Sequence, residues 1–152
     1  MRTFLLVVHI LAAGAWIGAN ITQVVVTPRA SKLGGSTAAA WMRSTVTMGR
    51  VLYTPAAVLS LATGVALVLR TDSAYDFENA FVVIGVAMVV IGAFLGIRVF
   101  GPQGEAAADA FDAGDVTAAR SIVGRIFALG LLDSLLLVVT VTAMVGKWGV
   151  GG

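Results

Sequence analysis

His9, Asn20 and Asp133 interrupt long apolar runs in which polar side chains are rare, and Trp16 shares a helical stripe with the first two. His9, Trp16 and Asn20 are separated by seven and four residues, with Ala13 between them and Gln23 beyond. At 100° per residue this spacing lines one face of a helix. An imidazole in such a place can ligate haem iron, take part in proton transfer, or satisfy a neighbouring backbone carbonyl. Asp133 is the sharper anomaly. A carboxylate at the centre of a lone membrane span costs about 2.5 to 3.5 kcal/mol on insertion scales, so it is expected to face other helices and to be neutral or paired. Its candidate partners are His9, Asn20, Thr54, Ser60 and Thr63. Asn20 and Asp133 together make a candidate intramembrane polar site, suited to a structural hydrogen bond, to cofactor support, or to a proton or cation route.

The elements that must position these groups are membrane spans. Hydrophobic residues make up 59% of the 152 and charged residues 12%, where a globular chain carries about 25% charged. Mean hydropathy is +0.97. Four apolar stretches, 4–26, 51–69, 80–100 and 121–145, have spanning length, since about 20 helical residues cross the hydrocarbon. They show none of the alternation of barrel strands. The expectation is one domain over 1–152, an all-α integral membrane protein folded as a four-helix transmembrane bundle. Arg2 ahead of an apolar run and Ala13-Gly14-Ala15 have the look of a signal peptide, but the segment is read as the first span. The absence of cysteine and the single histidine argue against disulfides, thiolate zinc sites and iron-sulfur clusters. The net charge of +2 forms no dense basic patch, so nucleic acid is not an expected partner.

Basic residues in short connections favour the cytoplasmic side. Arg29, Lys32, Arg43, Arg50, Arg98, Arg120 and Arg125 fall after the first and third spans, against Arg2, Arg70 and Lys147 on the opposite side. Both termini are therefore expected outside, together with the acidic loop holding Asp72, Asp76 and Glu78. Pro28 should end the first helix, with a turn at Leu33-Gly34-Gly35 and Ser36 capping the next helix. A bend is expected near Gly49 or Pro55. A short Ala-rich helix is expected over 103–111, broken at Gly114. The small-residue pairs Gly14 with Gly18, Ser60 with Gly64, Gly92 with Gly96 and Gly124 with Ala128 should pack helix on helix within the bundle. The same pairs also suit a homodimer or docking to a larger membrane complex.

The stretch HILAAGAWIGAN in the first span resembles the histidine, small-residue, tryptophan-x-glycine signature of a broad superfamily of small bacterial membrane proteins. These include the predicted integral membrane family numbered 2269 among domains of unknown function, the copper-resistance D-type membrane proteins and the J-type protoporphyrinogen oxidases. The stretch GRVLYTPAAVLSLATGVALVL also resembles the second helix of the 2269 family. The resemblance implies a multi-pass protein of the bacterial cytoplasmic membrane. Kinship with the oxidases implies haem b with His9 as a ligand and Trp16 packed beside the cofactor. Those enzymes also use an intramembrane lysine, whereas none lies between Lys32 and Lys147 here, so oxidase activity is not expected and a non-enzymatic protein is the favoured reading. Kinship with the copper proteins implies metal handling, for which Met48, Met88 and Met144 offer thioethers but read as core packing. The leading expectation is a small structural or accessory protein in contact with lipid, without a cofactor, attached to a respiratory or transport complex. The alternatives are a haem b redox protein using His9 and a proton or cation conductor using Asp133.

Overall fold

The computed structural model describes residues 1–70 and 75–150; Asp72 of the acidic loop lies outside them. The described elements are helical: α1 (Arg2–Leu33), α2 (Gly35–Met48), α3 (Thr54–Leu69), α4 (Ala80–Leu95), α5 (Gly101–Asp112) and α6 (Val116–Val145). Single π-helical segments, Gly49–Tyr53 and Gly96–Phe100, join α2 to α3 and α4 to α5. The result is four continuous rods of 30 to 35 residues, each long and apolar enough to cross a membrane. At 1.5 Å per residue they reach about 45 to 52 Å, beyond the roughly 30 Å of hydrocarbon, so each extends past it.

The π segments share one sequence cause. Each opens on a glycine, places an aromatic residue four positions later and a proline six positions later: Gly49, Tyr53, Pro55 and Gly96, Phe100, Pro102. Proline has no N–H to give the carbonyl four residues back. The residue before it, Thr54 or Gly101, instead donates five residues back, to Gly49 O or Gly96 O. The expected bend near Gly49 thus takes the form of one widened turn in a continuous rod.

Several expected boundaries move. Pro28 lies inside α1, whose helix continues to Leu33. The turn falls where expected, at Gly34 and Gly35, whose φ values of 69° and 52° are cheap for glycine and costly for other residues. Gly34 stands at the N-cap of α2, which has no side-chain cap bond, so Ser36 does not cap it. The fourth rod starts at Val116 instead of 121, because Asp115 Oδ1 accepts from Ala118 N at 3.0 Å. This is an ordinary carboxylate N-cap.

One end of the bundle gathers the N-terminus, the start of α4 and the C-terminal tail. Phe81 N donates to Trp148 O at 3.1 Å, and Asn79 Nδ2 donates to Gly149 O at 3.0 Å. The first of these occupies a backbone donor that a helix start otherwise leaves without a partner. At the other end α2 and α5 pack against each other and the start of α6. Ala38, Ala39, Met42, Ala107, Ala108, Phe111, Ala119, Val123 and Ile126 form a buried cluster there. Alanine on each helix permits close approach around Phe111. Arg43 straddles the rim, donating from Nη2 to Asp109 Oδ1 at 2.9 Å and from Nη1 to Asp112 Oδ2 at 2.7 Å. The two groups of basic residues counted in the sequence therefore occupy opposite ends.

The small-residue pairs divide. A Cβ on Gly64 would lie 3.3 Å from His9 Cε1, and one on Gly92 would lie 2.5 Å from the Trp16 ring. Gly14, Gly18, Gly96 and Gly124 have nothing within 4 Å of that position. The expectation that every pair packs inside the bundle fails for these; Gly14 and Gly18 face outward because the polar stripe of α1 occupies its inward face, and Gly96 and Gly124 are exposed on their own rods.

Candidate functional site

The stripe on α1 faces the bundle as its spacing indicates. His9 meets α3, where Nδ1 lies 3.0 Å from Ser60 O and 3.0 Å from Thr63 Oγ1. A carbonyl oxygen only accepts, and the Thr63 hydroxyl spends its proton on Leu59 O at 2.5 Å. Nδ1 therefore carries the ring proton and donates to both, which in a neutral imidazole leaves Nε2 with a free lone pair. Gly64 permits this contact, because its missing side chain lets the ring lie against α3.

His9 lines a partly open cavity of about 370 Å³ between α1, α3, α4 and α6 toward the end that holds both termini. The volume falls within the range of about 300 to 1,000 Å³ usual for small-ligand pockets. Its walls are mostly aliphatic, and Met88 and Met144 contribute thioethers. Ser60 Oγ is buried in the wall next to His9 and has no hydrogen-bond partner. Such an atom is costly in apolar surroundings unless a ligand or water meets it. Arg2, Tyr75 and Lys147 also line the cavity at this end. Lys147 Nζ stands 5.4 Å from the centre of the Tyr75 ring. Hydrogen bonding from Lys147 leads the causes that hold the Tyr75 hydroxyl below its ordinary value, and the charge of Arg2 adds to it.

Trp16 closes the cavity floor with Met88 and Leu137, all three buried. Its ring meets Tyr53 edge to face, with centroids 6.2 Å apart. Beyond the floor lies the polar cluster. Asn20 Nδ2 donates to Asp133 Oδ2 at 2.8 Å and to Ser134 Oγ at 3.2 Å. Tyr53 donates its hydroxyl to Asn20 Oδ1 at 2.7 Å and accepts from Gln23 Nε2 at 3.2 Å. Asp133 is 4% exposed, and its Oδ1, beside the Trp16 indole, has no well-formed hydrogen bond among the described residues.

A family model described as predicted integral membrane protein, DUF2269, matches residues 3–148. The chain belongs to this family. It is accordingly a multi-pass integral membrane protein, and the four rods have the length and composition of membrane spans. No curated protein and no solved structure matches the chain.

Of the residues singled out in the sequence, Asn20 and Asp133 are brought together, while His9 and Trp16 border the cavity on the other side of the floor. Of the candidate partners for Asp133, Asn20 is the one that bonds to it; Ser60 and Thr63 serve His9, and Thr54 Oγ1 donates to Gly49 O at 2.9 Å. Tyr53 and Ser134 were missed by the sequence reading. Tyr53 carried a faint signal, a polar-tipped aromatic two residues before the proline of an apolar span. Of the three thioethers considered for metal, Met48 does not line the cavity. Among the described residues no group of three or more His, Cys, Asp or Glu could hold a metal ion. A metal at His9 would therefore draw its other ligands from outside that set, from the Met88 and Met144 thioethers or from a macrocycle.

Proposed function

We propose that this chain is a haem b-binding protein of the bacterial cytoplasmic membrane, with His9 as axial ligand in the cavity beside α3. The observation that carries this reading is the His9 ring itself. Its Nδ1–H is spent on a backbone carbonyl and a threonine, the arrangement that fixes the tautomer and orientation of a ligating histidine and raises its basicity. Three further features fit the group. The walls are apolar, Arg2 and Lys147 would suit its two carboxylates, and Met88 and Met144 would offer thioethers as further iron ligands. Bound haem supplies one-electron chemistry. The residues of the chain bind it, orient the imidazole and keep water from the inner face through the Trp16 floor. An accessory role in a respiratory or transport complex gives no account of the cavity or of the unpartnered Ser60 hydroxyl.

The test is titration of haem into the full chain in lipid nanodiscs. Stoichiometric binding is expected in the native sequence, with affinity weakened in His9→Ala by more than the roughly tenfold typical of losing only a partner that supports a ligand, and coordination restored by added imidazole. Equal binding by His9→Ala would refute the assignment.

The orientation belongs to the same proposal: both termini outside and the α2–α5 end in the cytoplasm. Because the chain has no native cysteine, single cysteines introduced at Ser36 and at Asp76 report it directly. A membrane-impermeant maleimide added to intact cells is expected to label Asp76→Cys and spare Ser36→Cys. The reverse pattern would invert the topology.

A further inference from the structure

The polar cluster beneath the Trp16 floor takes no part in holding a cavity ligand, yet it contains a feature that a merely structural network would avoid. Asp133 lies within the bundle with Oδ2 accepting from Asn20, while Oδ1, with the Trp16 indole as its nearest donor, is bare of any well-formed hydrogen bond among the described residues. Around it α1 contributes Trp16 and Asn20, the π segment before α3 contributes Tyr53, α4 contributes Gly92 and α6 contributes Ser134. Tyr53 is the one titratable group among these, and Asp133 makes no ion pair among the described residues. An ionised carboxylate with a bare oxygen is expensive in such a setting, and a neutral acid with a bare carbonyl oxygen is far cheaper.

The network supports both forms on one skeleton. In the ionised form the donors run toward the acid: Gln23 to Tyr53, Tyr53 to Asn20, Asn20 to Asp133. A half-turn of each of the two amides exchanges nitrogen for oxygen and leaves the heavy atoms where they are. Asp133 O–H then donates to the Asn20 oxygen, the Asn20 nitrogen donates to Tyr53, and the Tyr53 hydroxyl donates to the Gln23 oxygen. Each member of the chain from Asp133 to Gln23 both donates and accepts, so those bonds survive in either direction; the one cost is at Ser134, whose hydroxyl must turn from Gly130 O to the Asn20 oxygen to keep its contact with Asn20. Substitution by a residue without both capacities would end this property.

We propose that Asp133 is a reversible proton-binding site, and that loading its proton reverses the donor direction of the chain through Asn20 and Tyr53 to Gln23. The step is a plain acid dissociation: the carboxyl O–H bond breaks, its electron pair stays on Oδ2, and the proton leaves to water. A cation other than the proton is disfavoured because the bare Oδ1 has Gly92 and the Trp16 ring next to it and no second oxygen of the cluster bonded to it. The site is independent of His9 and of any haem, so it stands or falls separately from the function proposed above.

Infrared difference spectroscopy on the full chain in nanodiscs, titrated with acid and alkali, reads the C=O stretch of a protonated carboxyl directly. A band is expected that disappears as pH rises and is missing in Asp133→Asn. Tyr53→Phe, which keeps the ring against Trp16, removes a link from both forms, but the chain of donors ending on the charged carboxylate is charge-assisted and loses more, so the band is expected to remain with its midpoint raised by about 0.5 to 1 pH unit. A band that persists at every pH, a band unchanged in Asp133→Asn, or a midpoint unmoved by Tyr53→Phe would overturn the proposal. So would loss of the band on adding sodium at fixed pH, which would mark a metal-cation site.

Discussion

Phe111→Ala is expected to destabilise the bundle by about 3 to 5 kcal/mol, the range for emptying a large aromatic site. Phe111 is 2% exposed and packs in the alanine-rich cluster that ties α2, α5 and α6 together. The small neighbours cannot swing in to fill the space, so a cavity remains. This layer also lies past the hydrocarbon by the length of the rods, where burial is driven by water exclusion; between helices in lipid that drive is missing. Leu137→Ala in the cavity floor should therefore cost visibly less than Phe111→Ala, although both side chains are buried. Reversible unfolding of each variant in mixed micelles compares them, and equal losses would contradict the division into a wet and a lipid-embedded layer.

Gly92→Ala is the second large effect. Alanine usually gains on glycine in a helix by about 1 kcal/mol, yet here its methyl would sit 2.5 and 2.7 Å from two carbons of the Trp16 ring. The indole is rigid, buried and braced by Tyr53, so either the ring or α4 has to move. Overpacking of this kind costs about 1 to 3 kcal/mol. Gly14→Ala and Gly18→Ala, with nothing near their Cβ positions, are the matched controls and should be neutral or mildly stabilising. The same unfolding assay decides the matter: a Gly92→Ala chain as stable as its controls would mean that Trp16 is not fixed against α4.

The sequence made the four rods legible because apolar length is the dominant requirement for crossing a bilayer, and it made the inward stripe of α1 legible because His9, Trp16, Asn20 and Gln23 keep a helical period. It did not disclose what that stripe would meet. Ser60, Thr63 and Tyr53 lie on a rod interrupted by a π segment, and each extra residue in a turn rotates everything beyond it by about 100° relative to a regular count. Tyr53, the last residue of that segment, is the one that meets Asn20. The outward direction of Gly14 and Gly18 was half legible: their angular offset from His9 separated them from the polar face, but whether the remaining face met a helix or lipid depended on how three other rods were arranged. The small pairs were read as internal contacts for want of that arrangement, and Gly64 and Gly92 proved so only because a ring from α1 fills the space each leaves.

The central claim is that the cavity beside α3 holds haem through His9. The most direct measurement is the oxidised and dithionite-reduced absorption spectrum of the chain purified gently from haem-replete membranes, with haem and protein quantified on the same sample. The account predicts a Soret and an alpha band at one haem per chain, both lost in His9→Ala while Thr63→Val retains them with shifted maxima. A colourless native preparation, or bands that survive His9→Ala unchanged, would contradict it.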